Sequence, residues 1–184
     1  MNTKIDRRIL KSQKVIQSAF LTMLIKDGFD EITVKKITEE ADISRKTFYL
    51  HYLDKYDLLD TLVNKKLEEL EEICESKKEK GYVEGTIIWF KYFEENKAFF
   101  SALFSSKSTV SFRQRLLDFM MDQINQKIAV VKPKRDSEIL PRFLGMAVLG
   151  IVESFVLNEL NSSAEEIATE VGELLILNLA PASN

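Results

Sequence analysis

The chain has 184 residues, 45% of them hydrophobic and 30% charged, with a formal net charge of −3. That length supports one compact body or two closely coupled small ones, and that balance excludes a disordered tail. Six Gly and three Pro leave little for turn-rich β architecture, and the lone Cys74 excludes an intrachain disulfide, which suits a reducing cytoplasm. Residues 1–14 are polar, so no signal peptide is expected there. The most apolar stretch, 143–152, is too short for a bilayer and is bracketed by Arg142 and Glu153, so no membrane partner is expected.

Ile9, Val15, Ile16, Ala19, Phe20, Met23 and Leu24 recur at helical spacing and predict a first helix over residues 6–27, closed by Gly28. Three segments then start alike: Ile32-Thr33…Ile37, Ile43-Ser44…Phe48 and Leu53-Asp54…Leu58. In each, a capping oxygen can accept from an unpaired N–H of the first turn, and the flanking apolar pair can close a hydrophobic staple. Caps at 33, 44 and 54 leave room for only two turns between neighbours, which predicts short helices over 34–41 and 45–51. Consecutive short helices joined by tight turns are the pattern of a helix-turn-helix.

A fourth helix starts at Asp54, with Asp57 placed as in a capping box, and continues through Leu58, Leu62, Leu67 and Leu70 into the charged run 71–80 before Gly81. Aromatic-rich helices follow over 83–95 and 96–104, then a longer one over 109–131. Pro133 breaks the chain, and Pro141 falls in the first turn of the next helix, expected to reach residue 160. Ser163 and Glu166 form a capping box for the last helix, which ends before Pro181. With no convincing strand, the fold class is all-α, with about nine helices.

Charge is informative by position rather than by sum. Residues 1–60 hold 11 basic and 10 acidic side chains, against 15 and 19 in the remainder. Within 1–26 the bases Lys4, Arg7, Arg8, Lys11, Lys14 and Lys26 face only Asp6. An excess this slight cannot carry a nucleic-acid assignment alone.

The motif carries it. Residues 32–59 read ITVKKITEEADISRKTFYLHYLDKYDLL. Thr33-Val34, Ile37, Ala41, Ile43-Ser44, Thr47-Phe48-Tyr49, Tyr52, Asp54-Lys55 and Leu58-Leu59 closely resemble the DNA-binding region of the TetR family. With the first helix, about a third of the chain shares the likeness. Two positions depart from the family pattern. Asp42 stands where Gly is usual, and Asp tolerates a left-handed turn at some strain. Tyr52 stands where Phe is commoner.

The resemblance implies that the third helix enters the major groove of double-stranded DNA. Arg45, Lys46 and Thr47 then occupy the turn that reaches base edges, with guanine O6/N7 suited to Arg45 or Lys46. It further implies backbone contacts from Tyr49 and His51, and phosphate contacts from Thr33 and Lys55 at helix starts. Ser44 belongs to the same candidate set. Duller roles compete: Thr33 and Ser44 are caps first, Tyr49 fits a half-buried aromatic, and His51 fits a surface residue. Lys35 and Lys36 fit plain solvated lysines.

The resemblance also implies a headpiece over 1–53, a connecting helix over 54–80 and a helical effector-binding and dimerisation domain over 81–184. There, Trp89, Phe93, Phe99, Phe100, Phe104, Phe119 and Met120 supply either a pocket lining or a solid core. The segment 90–106 is similar to a subgroup common in low-GC Gram-positive bacteria. Residues 143–157 are apolar almost all round, with Gly145, Ala147 and Gly150 permitting close approach. The last two helices therefore offer Ala147, Ile151, Phe155, Val171, Leu174 and Leu175 as a face for a second copy.

The function expected is a cytoplasmic, homodimeric transcriptional regulator, by family habit a repressor released from a palindromic operator by a small hydrophobic effector or a partner. The alternative is a DNA-binding adaptor or coactivator whose second domain binds another protein. No cofactor, metal or catalytic set is expected. The chain lacks suggestive paired carboxylates, a metal-ligand cluster, a phosphate-cradling Gly loop and a His beside a nucleophile.

Overall fold

The computed structural model describes residues 7–76, 80–131 and 138–179. Among them are nine α-helices, two 3-10 turns and no strand. The first helix, α1 (Arg7–Asp27), buries Ile16, Ala19, Phe20, Met23 and Leu24 along one face. Gly28 follows at φ 80, a left-handed conformation that L side chains rarely adopt. A 3-10 turn at Phe29–Glu31, not expected from the sequence, seats the fully buried Phe29 against Phe20, ring centroids 6.3 Å apart.

The caps form as the spacing predicts. Thr33 Oγ1 accepts from Lys36 N at 3.2 Å to open α2 (Val34–Glu40). Ser44 Oγ accepts from Thr47 N at 3.0 Å to open α3 (Arg45–Tyr49), which stops two residues short of the predicted end. Asp42 lies between them at φ 50, taking the left-handed turn on a non-Gly residue. Asp54 Oδ1 accepts from Tyr56 N and Asp57 N at 2.8 and 2.9 Å, and Asp57 Oδ2 accepts from Leu53 N at 2.8 Å. This reciprocal box opens α4 (Lys55–Ser76). The third staple does not form: Leu58 is fully buried while Leu53 is 82% exposed. The polar box alone fixes the entry of α4, so Leu53 is not needed to close it.

The second part of the chain comprises α5 (Tyr82–Glu95), α6 (Lys97–Ser105), a 3-10 turn (Lys107–Thr109), α7 (Val110–Val131), α8 (Ile139–Val156) and α9 (Ala164–Leu179). Helix α8 ends earlier than predicted because Asn158 turns left-handed at φ 60, and Glu159 N then donates to Ser154 O at 2.9 Å. Ser163 and Glu166 close the capping box at α9, with Ser163 N donating to Glu166 Oε2 at 2.8 Å. The predicted breaks at Pro133 and Pro181, and the run 77–79, lie outside the described residues.

Helices α5 and α9 pack along their lengths, close enough at Gly172 that an added Cβ would lie 2.7 Å from Val83 Cα. A second tight pair, α7 and α8, is joined by Arg113, which pairs with Glu153 and donates to Phe104 O at 3.1 Å. One apolar cluster runs unbroken from Ile16 in α1 to Val171 in α9. Helix α4 joins it from both sides, burying Leu58 and Leu59 near its start and Leu70 near its end.

A polar node fastens α4 to α5 and α6. Tyr92 Oη donates to Glu69 Oε2 at 2.8 Å, and Lys66 Nζ donates to the same oxygen at 2.8 Å and to Asn96 Oδ1 at 2.7 Å. Burial pushes the Glu69 carboxyl up, but hydrogen bonds from Lys66 and Tyr92, with the charges of Lys66 and Lys65, outweigh it and hold the group below the ordinary carboxylate range. A carboxyl depressed in the folded state stabilises the fold above its unfolded pKa and loses that contribution as pH falls through the folded value. Tyr92→Phe is therefore expected to cost about 1 kcal/mol near pH 7, a figure discounted for the node's partial exposure. The deficit should shrink as pH falls below the ordinary carboxylate range, as read from thermal melts of both proteins. An equal deficit at neutral pH and in acid would remove Glu69 from the account.

Candidate nucleic-acid interface

The headpiece is built so that α3 turns one face in and the other out. Phe48 is fully buried and Tyr52 is 4% exposed, with their rings 5.8 Å apart. At about 100° per residue, the positions opposite that pair are Lys46 and Leu50. Arg45, Lys46 and Tyr49 are all exposed, as the sequence predicts. The Tyr49 ring stands edge-on to Phe48 at 5.5 Å, which steadies its base and leaves the rest in solvent. Thr47 is half-buried, and its hydroxyl is 2.9 Å from Ser44 Oγ, so these two side chains serve the cap and each other.

Two predicted contacts are tied inward. Lys55 Nζ donates to Phe29 O at 3.2 Å and Asp30 O at 3.4 Å and lies 4.5 Å from the Phe29 ring centroid. The 3-10 turn thus holds the ammonium beside the start of α4 with its donors partly committed. His51 Nε2 lies 2.6 Å from Ser12 Oγ. That hydroxyl also lies 2.9 Å from Ile9 O and 3.0 Å from Arg8 O, so it joins the ring to the backbone of α1. His51 thereby pins α3 to α1. Tyr52 accepts from Gln17 Nε2 at 3.0 Å, a bond that Phe in its place would not make. Lys36 Nζ donates to Glu31 O at 2.8 Å and caps the 3-10 turn, while Lys35 pairs with Glu39 at 3.8 Å in solvent.

Sequence reasoning missed Leu50, which is 73% exposed on the outward face. The signal was present: Lys46 and Leu50 stand four apart, and Phe48 between them points inward.

The predicted pocket residues do come together, as packed rings. Phe93 and Phe100 have centroids 4.7 Å apart, Trp89 and Phe93 5.1 Å, Phe104 and Phe112 5.2 Å, and Phe99 and Phe100 5.4 Å. Phe93 and Phe100 are fully buried, Met120 is 2% exposed, and Phe119 is half-buried and lines a groove. Phe119 and Leu67 floor a groove of about 410 Å³ between α4 and α7, rimmed by Glu71, Arg115, Asp118 and Asp122. A second groove of about 590 Å³ runs between the end of α1 and α6, where Ser106 Oγ donates to Asp30 Oδ2 at 3.2 Å.

The predicted dimer face divides. Phe155 and Val171 belong to the subunit's own core, Phe155 packing 5.7 Å from Phe90. Gly145 admits α7 rather than a second copy, since an added Cβ would lie 3.0 Å from Met121 Cγ. Ala147 and Leu174 are exposed, and Ile151 and Leu175 are half-buried. Beside them on the same two helices, Ile139, Phe143, Met146 and Leu177 are 79, 62, 56 and 79% exposed. Within α8, Ile139, Phe143, Met146, Ala147 and Gly150 fall in one stripe opposite the buried face. At 18 residues and a mean hydropathy of 1.7, α8 is also long and apolar enough to cross a membrane, which corrects the shorter span read from the sequence. Among the described residues, no group of three or more His, Cys, Asp or Glu is placed to hold a metal ion.

Residues 17–62 match the family described as bacterial regulatory proteins, tetR family, and residues 80–176 match a transcriptional regulator C-terminal region. The HTH-type transcriptional regulator YxbF of Bacillus subtilis (strain 168) is 38% identical over 68 residues, 36% of this chain and 18% of that protein. The chain thus spans under a fifth of that relative's length. The HTH-type dhaKLM operon transcriptional activator DhaS of Lactococcus lactis is 21% identical over 178 residues, 94% of this chain and 93% of its own. A TetR transcriptional regulator from Streptococcus agalactiae 2603V shares the fold, with a TM-score of 0.74 and 21% identity over 92% of this chain and 96% of that one.

Proposed function

The chain belongs to the TetR family and is a DNA-binding transcriptional regulator rather than an enzyme, and we propose that it acts as a cytoplasmic homodimer on a two-fold operator through the outward face of α3. The observation that supports this reading is the division of that short helix. Phe48 and Tyr52 anchor it, while Arg45, Lys46 and Tyr49 remain exposed. Arg45 and Lys46 supply base-edge donors, and Tyr49 supplies a phosphate contact. Thr33 and Ser44 orient the helices as caps, and Thr47 braces the second cap. Lys55 meets phosphate with whatever donor capacity the carbonyls of Phe29 and Asp30 leave it. His51 acts by positioning α3 against α1. In this reading α1 to α3 serve as the headpiece, α4 (Lys55–Ser76) as the connecting helix and α5 to α9 as the effector and dimerisation domain.

Selection of bound duplex from a random pool is the direct test, with recovery of a two-fold motif as the expected result. Arg45→Ala should weaken the selected operator about 10- to 100-fold and relax preference at one base pair per half-site. Tyr49→Ala should weaken selected and random DNA by similar factors. A pool with no enriched motif would remove the operator reading.

The sign of regulation has two readings. Release from the operator by a small effector would use the groove floored by Phe119 and Leu67, whose polar rim suits a ligand with both apolar and polar parts. An adaptor or activator that takes a protein partner is favoured by the ring-packed core, in which Phe93 and Phe100 are fully buried and Trp89, Phe99, Phe104 and Met120 are less than a tenth exposed. The full-length relative named as an activator points the same way. A thermal-shift screen of apolar small molecules separates them: stabilisation by one ligand class selects the effector reading.

A further inference from the structure

Leu50 occupies the centre of the α3 face that points away from the core. Its N–H donates to Lys46 O at 3.2 Å, so it still belongs to the helical turn although α3 ends at Tyr49. It is 73% exposed and lies opposite the buried Phe48, while Tyr49 beside it is 57% exposed and leans its ring edge on Phe48. An exposed Leu on an ordinary surface needs no explanation. Here it stands one turn after Lys46 on a five-residue helix whose outward face is otherwise polar or charged.

The major groove offers donors and acceptors from every base, and one apolar group, the C5 methyl of thymine. An isobutyl side chain held at the middle of a groove-reading face finds complementary surface only there. Against cytosine it would cover the N4 amino group without giving it an acceptor, which costs binding. We propose that Leu50 is a specificity-determining residue that packs on a thymine methyl in each half-site, next to the polar contact made by Lys46. This rests on the reading of α3 as the groove-facing helix.

The test removes one methyl group. After a two-fold motif is selected with the wild-type protein, each thymine in it is replaced by deoxyuridine, symmetrically in both half-sites. At one position the loss should weaken wild-type binding about three- to fivefold per half-site, the effect of one buried methyl. Leu50→Ala should bind the thymine and deoxyuridine versions of that site equally and should select a motif degenerate at that pair. Its thermal midpoint should match the wild type, because the side chain is largely in solvent. If a motif is recovered but Leu50→Ala responds to every deoxyuridine as the wild type does, the Leu50 assignment is overturned while the operator reading stands. If no motif is recovered, the operator reading falls and takes this inference with it.

Discussion

Phe143→Glu combined with Leu177→Glu is expected to leave a folded monomer in ultracentrifugation and to weaken operator binding by about 100-fold or more. Both side chains are mostly in solvent in the single subunit, 62 and 79% exposed, so neither substitution disturbs the core. They lie on the apolar stripes of α8 and α9, with Ile139, Met146, Ala147 and Leu174 around them. Large apolar side chains contribute about 1.5–3 kcal/mol each when withdrawn from water, so a stripe of this size can hold two copies together. Glutamates on both helices would place unpaired carboxylates inside that interface and exclude it. Dimerisation matters to DNA because the second half-site is then bound as an intramolecular event, a gain of about 10²–10⁴ in affinity. A monomer that keeps wild-type operator affinity would separate α8 and α9 from DNA recognition. A dimer that survives both changes would place the interface elsewhere. The other face of α8 packs on α7, and Glu153 at the edge of the stripe pairs with Arg113 of that helix.

What could be read from the sequence, and what could not, divides by the range of the interaction. A cap is closed within three residues, so Thr33, Ser44 and Asp54 disclosed their roles from spacing alone. The left-handed turn at Asp42 is equally local. A staple depends on where the chain goes next, and Leu53, expected to pair with Leu58, ended in solvent because Asp54 and Asp57 already fixed the helix start. Partners far along the chain were invisible. Nothing near Lys55 announces that carbonyls 26 and 25 residues earlier will hold its ammonium, or near His51 that Ser12 will meet its ring. The helix 139–156 posed a different difficulty. A segment apolar on every side tells that each side is covered, not by what. Gly145 and Phe155 proved to face the subunit's own helices, leaving Phe143 and Met146 outward.

Phe100→Ala is expected to lower stability by about 3–5 kcal/mol in denaturant unfolding, with an unchanged m-value. Phe100 is fully buried, with ring centroids of Phe93, Phe99, Phe112 and Tyr92 at 4.7, 5.4, 6.0 and 6.1 Å. Removing its ring takes away the group those four share, and packed neighbours on α5, α6 and α7 cannot all move to refill the space. Against a typical total of about 5–15 kcal/mol the loss is large, so melts at reduced temperature keep the variant measurable. The vacated space also discriminates between the two uses of these aromatics. An apolar cavity of that kind stays dry and accepts a small aromatic such as benzene. Benzene should therefore raise the melting temperature of the variant by mass action and leave the wild type unmoved. If the wild type is stabilised as strongly, its rings already line a vacant site and the effector reading gains at the adaptor's expense. If only the variant responds, Trp89, Phe93, Phe99 and Phe104 serve as filler, and a signal received by this domain must arrive through its surface.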